Sequence, residues 1–97
     1  MKILGIIDLA PGVSPEQLGP HMVPEARAVW SGIESGLIRQ VHYRTDKPGA
    51  VIEFEAASAD TARDFLQSLP MARAGVVQVT DLIPLGPYTG LATIFAN

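Results

Sequence analysis

The chain has 97 residues, of which 47% are hydrophobic but only 6% aromatic, so a single domain with a modest aliphatic core is expected. Its formal charge of −3 and seven scattered basic residues give no electrostatic footprint for nucleic acid or an anionic membrane. The lack of cysteine removes disulfides, thiolate catalysis and thiolate metal sites together, and it is compatible with a reducing compartment.

Lys2 to Leu9 (KILGIIDL) is apolar on both faces, which suits a central strand covered from both sides. Gly5 and Asp8 interrupt the run and make it too short for a signal segment or a membrane span, so a soluble cytoplasmic protein is expected. Pro11-Gly12 ends the strand. Ser14-Pro15-Glu16-Gln17 then reads as a helix start, with Ser14 as N-cap, Pro15 in the first turn and Gln17 returning the capping bond.

Gly19-Pro20 and Pro24 predict a kinked or two-part helix. From Met22 onward the apolar positions Met22, Ala26, Val29, Trp30, Ile33 and Leu37 form one face, with Glu25, Arg27 and Glu34 away from it. Gly36 is placed to cap the C-terminus.

A hairpin follows, from Val41 to Ala56 (VHYRTDKPGAVIEFEA). Ile52, Phe54 and Ala56 alternate with Val51, Glu53 and Glu55, and Val41 and Tyr43 alternate with Gln40, His42 and Arg44. A four-residue loop over Asp46 to Gly49 sets His42 opposite Glu53, whereas a loop of Pro48-Gly49 alone sets it opposite Glu55. Both registers place Val41, Tyr43, Ile52 and Phe54 on one side and Gln40, His42, Arg44, Glu53 and Glu55 on the other; a one-residue bulge would alter this.

Ser58 caps a second amphipathic helix with Ala62, Phe65, Leu66 and Leu69 inward, stopped by Pro70. Ala74 to Ile83 is a last strand, ended by Pro84. The order β-α-β-β-α-β predicts an α+β, ferredoxin-like arrangement in one domain, with a four-stranded antiparallel sheet and both helices on one of its faces. The second face then needs cover. The tail Leu85 to Asn97 carries Tyr88, Leu91, Ile94 and Phe95 without a charge, and is expected to dock on its own subunit or a neighbour. A homodimer or an assembly of dimers is therefore expected.

Among groups able to do chemistry, His42 on a polar strand face with Glu53 or Glu55 opposite forms either a proton-transfer pair or a cross-strand ion pair. His21, in the segment GPHMVP, is either an overhanging binding residue or an exposed loop histidine. Arg39, alternating with Val41 and Tyr43, offers paired donors to a carboxylate ligand from the helix-side face, and Tyr43 joins it as a binding candidate. Arg44 and Asp46 hold the turn or bind ligand, and Asp8 stabilises the turn or titrates where loops converge. No phosphate loop, dinucleotide fingerprint, nucleophile elbow or metal-ligand spacing occurs, so neither a cofactor nor a metal is expected.

The pieces EARAVW (Glu25 to Trp30), SGLIRQVHYRTDKPGAV (Ser35 to Val51), SLP (Ser68 to Pro70), AGVVQV (Ala74 to Val79) and PLGPYTGLATIF (Pro84 to Phe95) resemble those of the small bacterial muconolactone-isomerase-like proteins. This resemblance covers about three quarters of the chain. It implies a dimeric α/β barrel in which two ferredoxin-like sheets meet and terminal segments help join subunits. It also implies cofactor-free double-bond migration in a lactone carboxylate, with Arg39 as substrate anchor. The tail and the loop Asp46 to Gly49 depart from the isomerase pattern.

Two functions follow as expectations. One is isomerisation or related proton transfer on a small lactone or aromatic-derived carboxylate, with His42 or Glu53 carrying the proton and Arg39, His21 and Tyr43 binding. The other is a non-catalytic binding or assembly module. A pocket that gathers a histidine or carboxylate beside Arg39 favours the first.

Overall fold

A computed structural model describes residues 1–96. Strands β1 (Lys2–Leu9), β2 (Ile38–Tyr43), β3 (Gly49–Glu55) and β4 (Val77–Leu85) form one antiparallel sheet in the order β2-β3-β1-β4. Helices α1 (Met22–Glu34) and α2 (Ala59–Ser68) connect β1 to β2 and β3 to β4, which is the ferredoxin-like split βαβ topology. No helix among the described residues is long and apolar enough to cross a membrane.

Local chemistry accounts for most of the boundaries. The backbone N–H of Ser14 donates to Gln17 Oε1 at 2.8 Å, opening a 3₁₀ segment at Pro15–His21; the two-part helix expected from the prolines is this segment followed by α1. α1 ends where Gly36 takes φ +82° and returns its N–H to the Ile33 carbonyl at 3.0 Å. Ser58 Oγ accepts the Thr61 N–H at 3.2 Å to start α2.

Pro70 both ends α2 and opens a further short helix, α3 (Pro70–Arg73), because a proline at the first helical turn forfeits no needed donor. The last strand accordingly starts at Val77 rather than Ala74. It also runs through Pro84 to Leu85, which β4 tolerates as an edge strand.

Ile3, Ile7, Ile38, Ile52, Phe54, Ala62, Leu66 and Leu69 make the core between the sheet and the helices. Phe54 and Phe65 meet edge to face, with ring centroids 6.0 Å apart at 72°. A Cβ on Gly32 would lie 2.7 Å from Ile38 and 2.8 Å from Phe65, so any larger residue there would push these side chains aside, and glycine lets α1 sit close to the sheet. This contact alters the expected role of α1. Gly32 is its one buried residue, and Trp30, expected in the core, is 58% exposed.

The hairpin takes neither expected register. His42 pairs with Val51 and Val41 with Ile52; the Arg44 N–H donates to the Gly49 carbonyl at 2.9 Å, so the loop is Thr45 to Pro48, one position earlier than Asp46 to Gly49. Between Ile38 and Gln40 the register shifts by one residue, leaving Arg39 as the extra residue of a bulge. A second shift, at Ile6/Ile7, leaves Thr80 as the unmatched residue of β4.

The sheet face away from the helices is uncovered. It presents Leu4, Ile6, Val51 and Ile83, all half-buried, beside Lys2, Glu53 and Asp81. Beyond β4 the tail forms a 3₁₀ segment, Thr89–Phe95, in which no residue is buried. The Cα radius of gyration is 15.6 Å with extents of 59 × 29 × 19 Å. A compact chain of this length has a radius of about 12–13 Å, so the tail projects from the body.

Candidate functional site

Because α1 touches the sheet at Gly32, its N-terminal half stands off and encloses a cavity of about 330 Å³. The sheet supplies Ile7, Leu9, Val41, Ala50, Ile52 and Val77; α1 supplies Met22, Glu25, Ala26, Val29, Trp30 and Ile33. Leu18 of the 3₁₀ segment and Met71 of α3 complete the wall, while Trp30 and Tyr43 stand at the mouth, 58% and 77% exposed.

Glu25 is the one charged side chain among these lining residues. Its Oε1 accepts the backbone N–H of Met71 at 2.9 Å, and that bond is part-buried. Burial pushes the Glu25 carboxyl above its ordinary 4.5; the Met71 bond and the nearby charge of His21 oppose the rise without cancelling it. A carboxyl so placed accepts hydrogen bonds from a ligand when ionised and donates one when protonated.

Glu25 was expected on the outward face of α1. The sequence did hold a signal, since Met22, Glu25, Ala26, Val29, Trp30 and Ile33 follow the i, i+3, i+4, i+7 spacing of one helical stripe, with Glu25 inside it. Its partner Met71 gave no such signal, because that contact spans 46 residues.

The other candidates scatter. His42 borders the cavity between Val41 and Tyr43, but among the described residues no carboxylate lies within 4.0 Å of it, and the anticipated pair with Glu53 or Glu55 does not form. Glu53 instead opposes Gln40 and Leu4, lies on the open face and pairs with Lys2 at 3.8 Å. Glu55 meets the N-terminal amine at 3.1 Å. Arg39 is exposed in the bulge and does not line the cavity, since the extra residue breaks the alternation that would have turned it inward with Val41. His21, half-buried, immediately precedes α1 close to Glu25 but outside the lining.

Beside the cavity, Arg44 ties the hairpin loop to the sheet. Its Nε and Nη2 donate to the two oxygens of Asp46 at 2.9 and 2.6 Å, and its Nη1 to Asp8 at 3.3 Å. Thr80 Oγ1 and Lys47 Nζ reach the other Asp8 oxygen at 3.0 and 3.8 Å. The hydrogen bond from Arg44 draws the Asp46 carboxyl down to about 2 from 3.8, and the Asp46 bond raises Arg44. These groups hold the turn, and the loop keeps Gly49 at the cavity wall. Among the described residues no cluster of three or more His, Cys, Asp or Glu side chains forms a metal-binding group.

No family model matches the chain. No curated protein matches it either. A solved structure does: 5-chloro-2-hydroxyhydroquinone dehydrochlorinase from Burkholderia phenoliruptrix AC1100, in complex with 2,5-dihydroxybenzoquinone, superposes with a TM-score of 0.65. The match covers 93% of this chain and 98% of that one at 18% identity, which establishes the shared ferredoxin-like fold.

Proposed function

We propose that this protein binds a small, flat, aromatic or conjugated molecule in the cavity between α1 and the sheet, as one subunit of a homodimer related to the muconolactone-isomerase-like proteins. The observation that carries the reading is a single carboxylate, Glu25, set in a mostly apolar wall around about 330 Å³, with His42 at its border. Apolar walls with one placed polar group are the usual make-up of a small-molecule site. The fold shared with an enzyme whose structure holds 2,5-dihydroxybenzoquinone supports a ring-shaped ligand.

The ligand expected from the sequence, a lactone or aromatic-derived carboxylate anchored by Arg39, requires modification. Arg39 lies outside the wall and Glu25 within it, so a carboxylate ligand meets like charge and no guanidinium. A hydroxyl-bearing ring instead donates to Glu25.

The catalytic reading, cofactor-free isomerisation, moves to Glu25. Its carboxylate takes a proton from one ligand carbon and returns it to another as the double bond migrates, with no net gain or loss. The raised pKa favours this role, because a base nearer neutrality exchanges its proton more readily.

The test is a thermal-shift series with a dihydroxybenzoquinone, toluene and benzoate. Binding to the folded state alone raises the melting temperature. The hydroxylated ring should give the largest shift and benzoate the smallest. Benzoate as the best ligand, or no shift with any of the three, overturns the reading.

A further inference from the structure

We propose that the ligand is an elongated, uncharged two-ring hydroxyaromatic. Its hydroxyl lies at one end of its long axis and donates to Glu25, while its second ring rests between Trp30 and Tyr43. This rests on the cavity being a ligand site and adds the size, shape and orientation of what fills it.

Volume sets the size. The cavity measures about 330 Å³, whereas an apolar cavity of about 150 Å³ already takes up one benzene ring, so there is room for about two. A single ring held at Glu25 would leave much of the apolar wall without contacts.

Register sets the shape. The sheet side of the wall crosses all four strands, from Tyr43 on β2 through Ala50 on β3 and Ile7 on β1 to Val77 on β4. Tyr43 stands opposite Ala50 and Ala50 opposite Ile7, so the lining is continuous. Three strand spacings make this path about 14 Å long.

The carboxylate sits at one end of that path. Glu25 accepts the Met71 N–H, and the Met71 carbonyl accepts the Val76 N–H at 3.1 Å, next to the β4 end. From there α1 runs toward β2, which it meets where Gly32 packs on Ile38. Trp30, five residues past Glu25 and so about 7–8 Å further along the helix, lines the cavity from α1, and Tyr43 lines it from β2. Both rings are exposed, and their faces take a flat aromatic body better than a flexible chain.

Polarity sets the orientation. Among the described residues no donor reaches Glu25 Oε2, which leaves that oxygen for the ligand hydroxyl. Between Glu25 and the mouth, where His42 and Tyr43 stand, no polar side chain lines the path, so the body of the ligand is apolar.

Isomers test this without a change of formula. 2-Naphthol carries its hydroxyl toward the end of its long axis and 1-naphthol carries it on the flank. Calorimetric titration at neutral pH should show 2-naphthol binding at least about tenfold tighter than 1-naphthol. Trp30→Ala/Tyr43→Ala should weaken 2-naphthol by about tenfold, a usual cost of losing aromatic anchors. The same variant should change the affinity for 2,5-dihydroxybenzoquinone, which fills only the Glu25 end, by less than about twofold. Equal affinity for the two naphthols, or undiminished 2-naphthol binding by the double variant, overturns the two-ring proposal; quinone binding by the unaltered protein then leaves the ligand site itself standing. Binding of neither the naphthols nor the quinone removes the ligand site and the proposal with it.

Discussion

The backbone N–H of Met71 donates to Glu25 Oε1 at 2.9 Å, tying the first turn of α1 to the start of α3. The bond satisfies part of a carboxylate in an apolar wall, while burial still raises its pKa. For a group raised in the folded state, the stabilising contribution is present below the ordinary value of 4.5 and is lost as pH rises through the folded value. Glu25→Gln keeps an oxygen for Met71 and removes the charge. Melting temperature at neutral pH should rise or stay unchanged, while the advantage vanishes near pH 4. A large loss at neutral pH would show that the ionised carboxylate itself holds the helices together.

Phe54 and Trp30, both on apolar faces of their elements in the sequence, should separate. Phe54 is fully buried against Phe65, so Phe54→Ala should cost about 3–5 kcal/mol in chemical denaturation. Trp30 is 58% exposed, and Trp30→Ala should cost less than about 1 kcal/mol in the monomer. A much larger cost that depends on protein concentration would place Trp30 at a subunit contact.

Asp46 gives the opposite pH signature from Glu25. Its carboxyl is drawn down to about 2 by Arg44, so its contribution to stability is present above 3.8 and is lost as pH falls toward about 2. Carboxyl titration by NMR should find that midpoint, and Arg44→Gln should return it to the ordinary range. A midpoint unmoved by Arg44→Gln would assign the shift to the loop backbone.

Among the described residues His42 lacks the carboxylate partner that would make it a proton-transfer pair. His42→Ala should change quinone affinity by less than about fivefold, that is by less than about 1 kcal/mol, whereas Glu25→Gln should change it more. Calorimetric titration of both variants compares them directly. A reversed order would return His42 to the centre of the site.

The uncovered sheet face and the projecting tail predict association. Sedimentation at micromolar concentration should show at least twice the 10.3 kDa chain mass. A well-folded monomer at that concentration would remove the dimer.

β1 is legible to the residue from the sequence, as are the succession of strands and main helices and the buried sides of β3 and α2. Those follow from alternation along Ile52 and Phe54, from 3.6-residue spacing in Ala62, Leu66 and Leu69, and from caps such as Ser58 and Gly36, all properties of neighbouring residues. Tertiary structure decided the site. Which residue faces His42 depends on where the hairpin loop closes, and which way Arg39 turns depends on the bulge there; a one-residue slip turns a side chain to the other face. Which flank of α1 is covered depends on its close approach at Gly32, which opens the cavity and exposes Trp30. Glu25 lay within the apolar stripe of the sequence, but its meaning came from Met71, 46 residues away. A local pattern places a side chain on a face; only the packing of distant segments decides whether that face meets core, cavity or water.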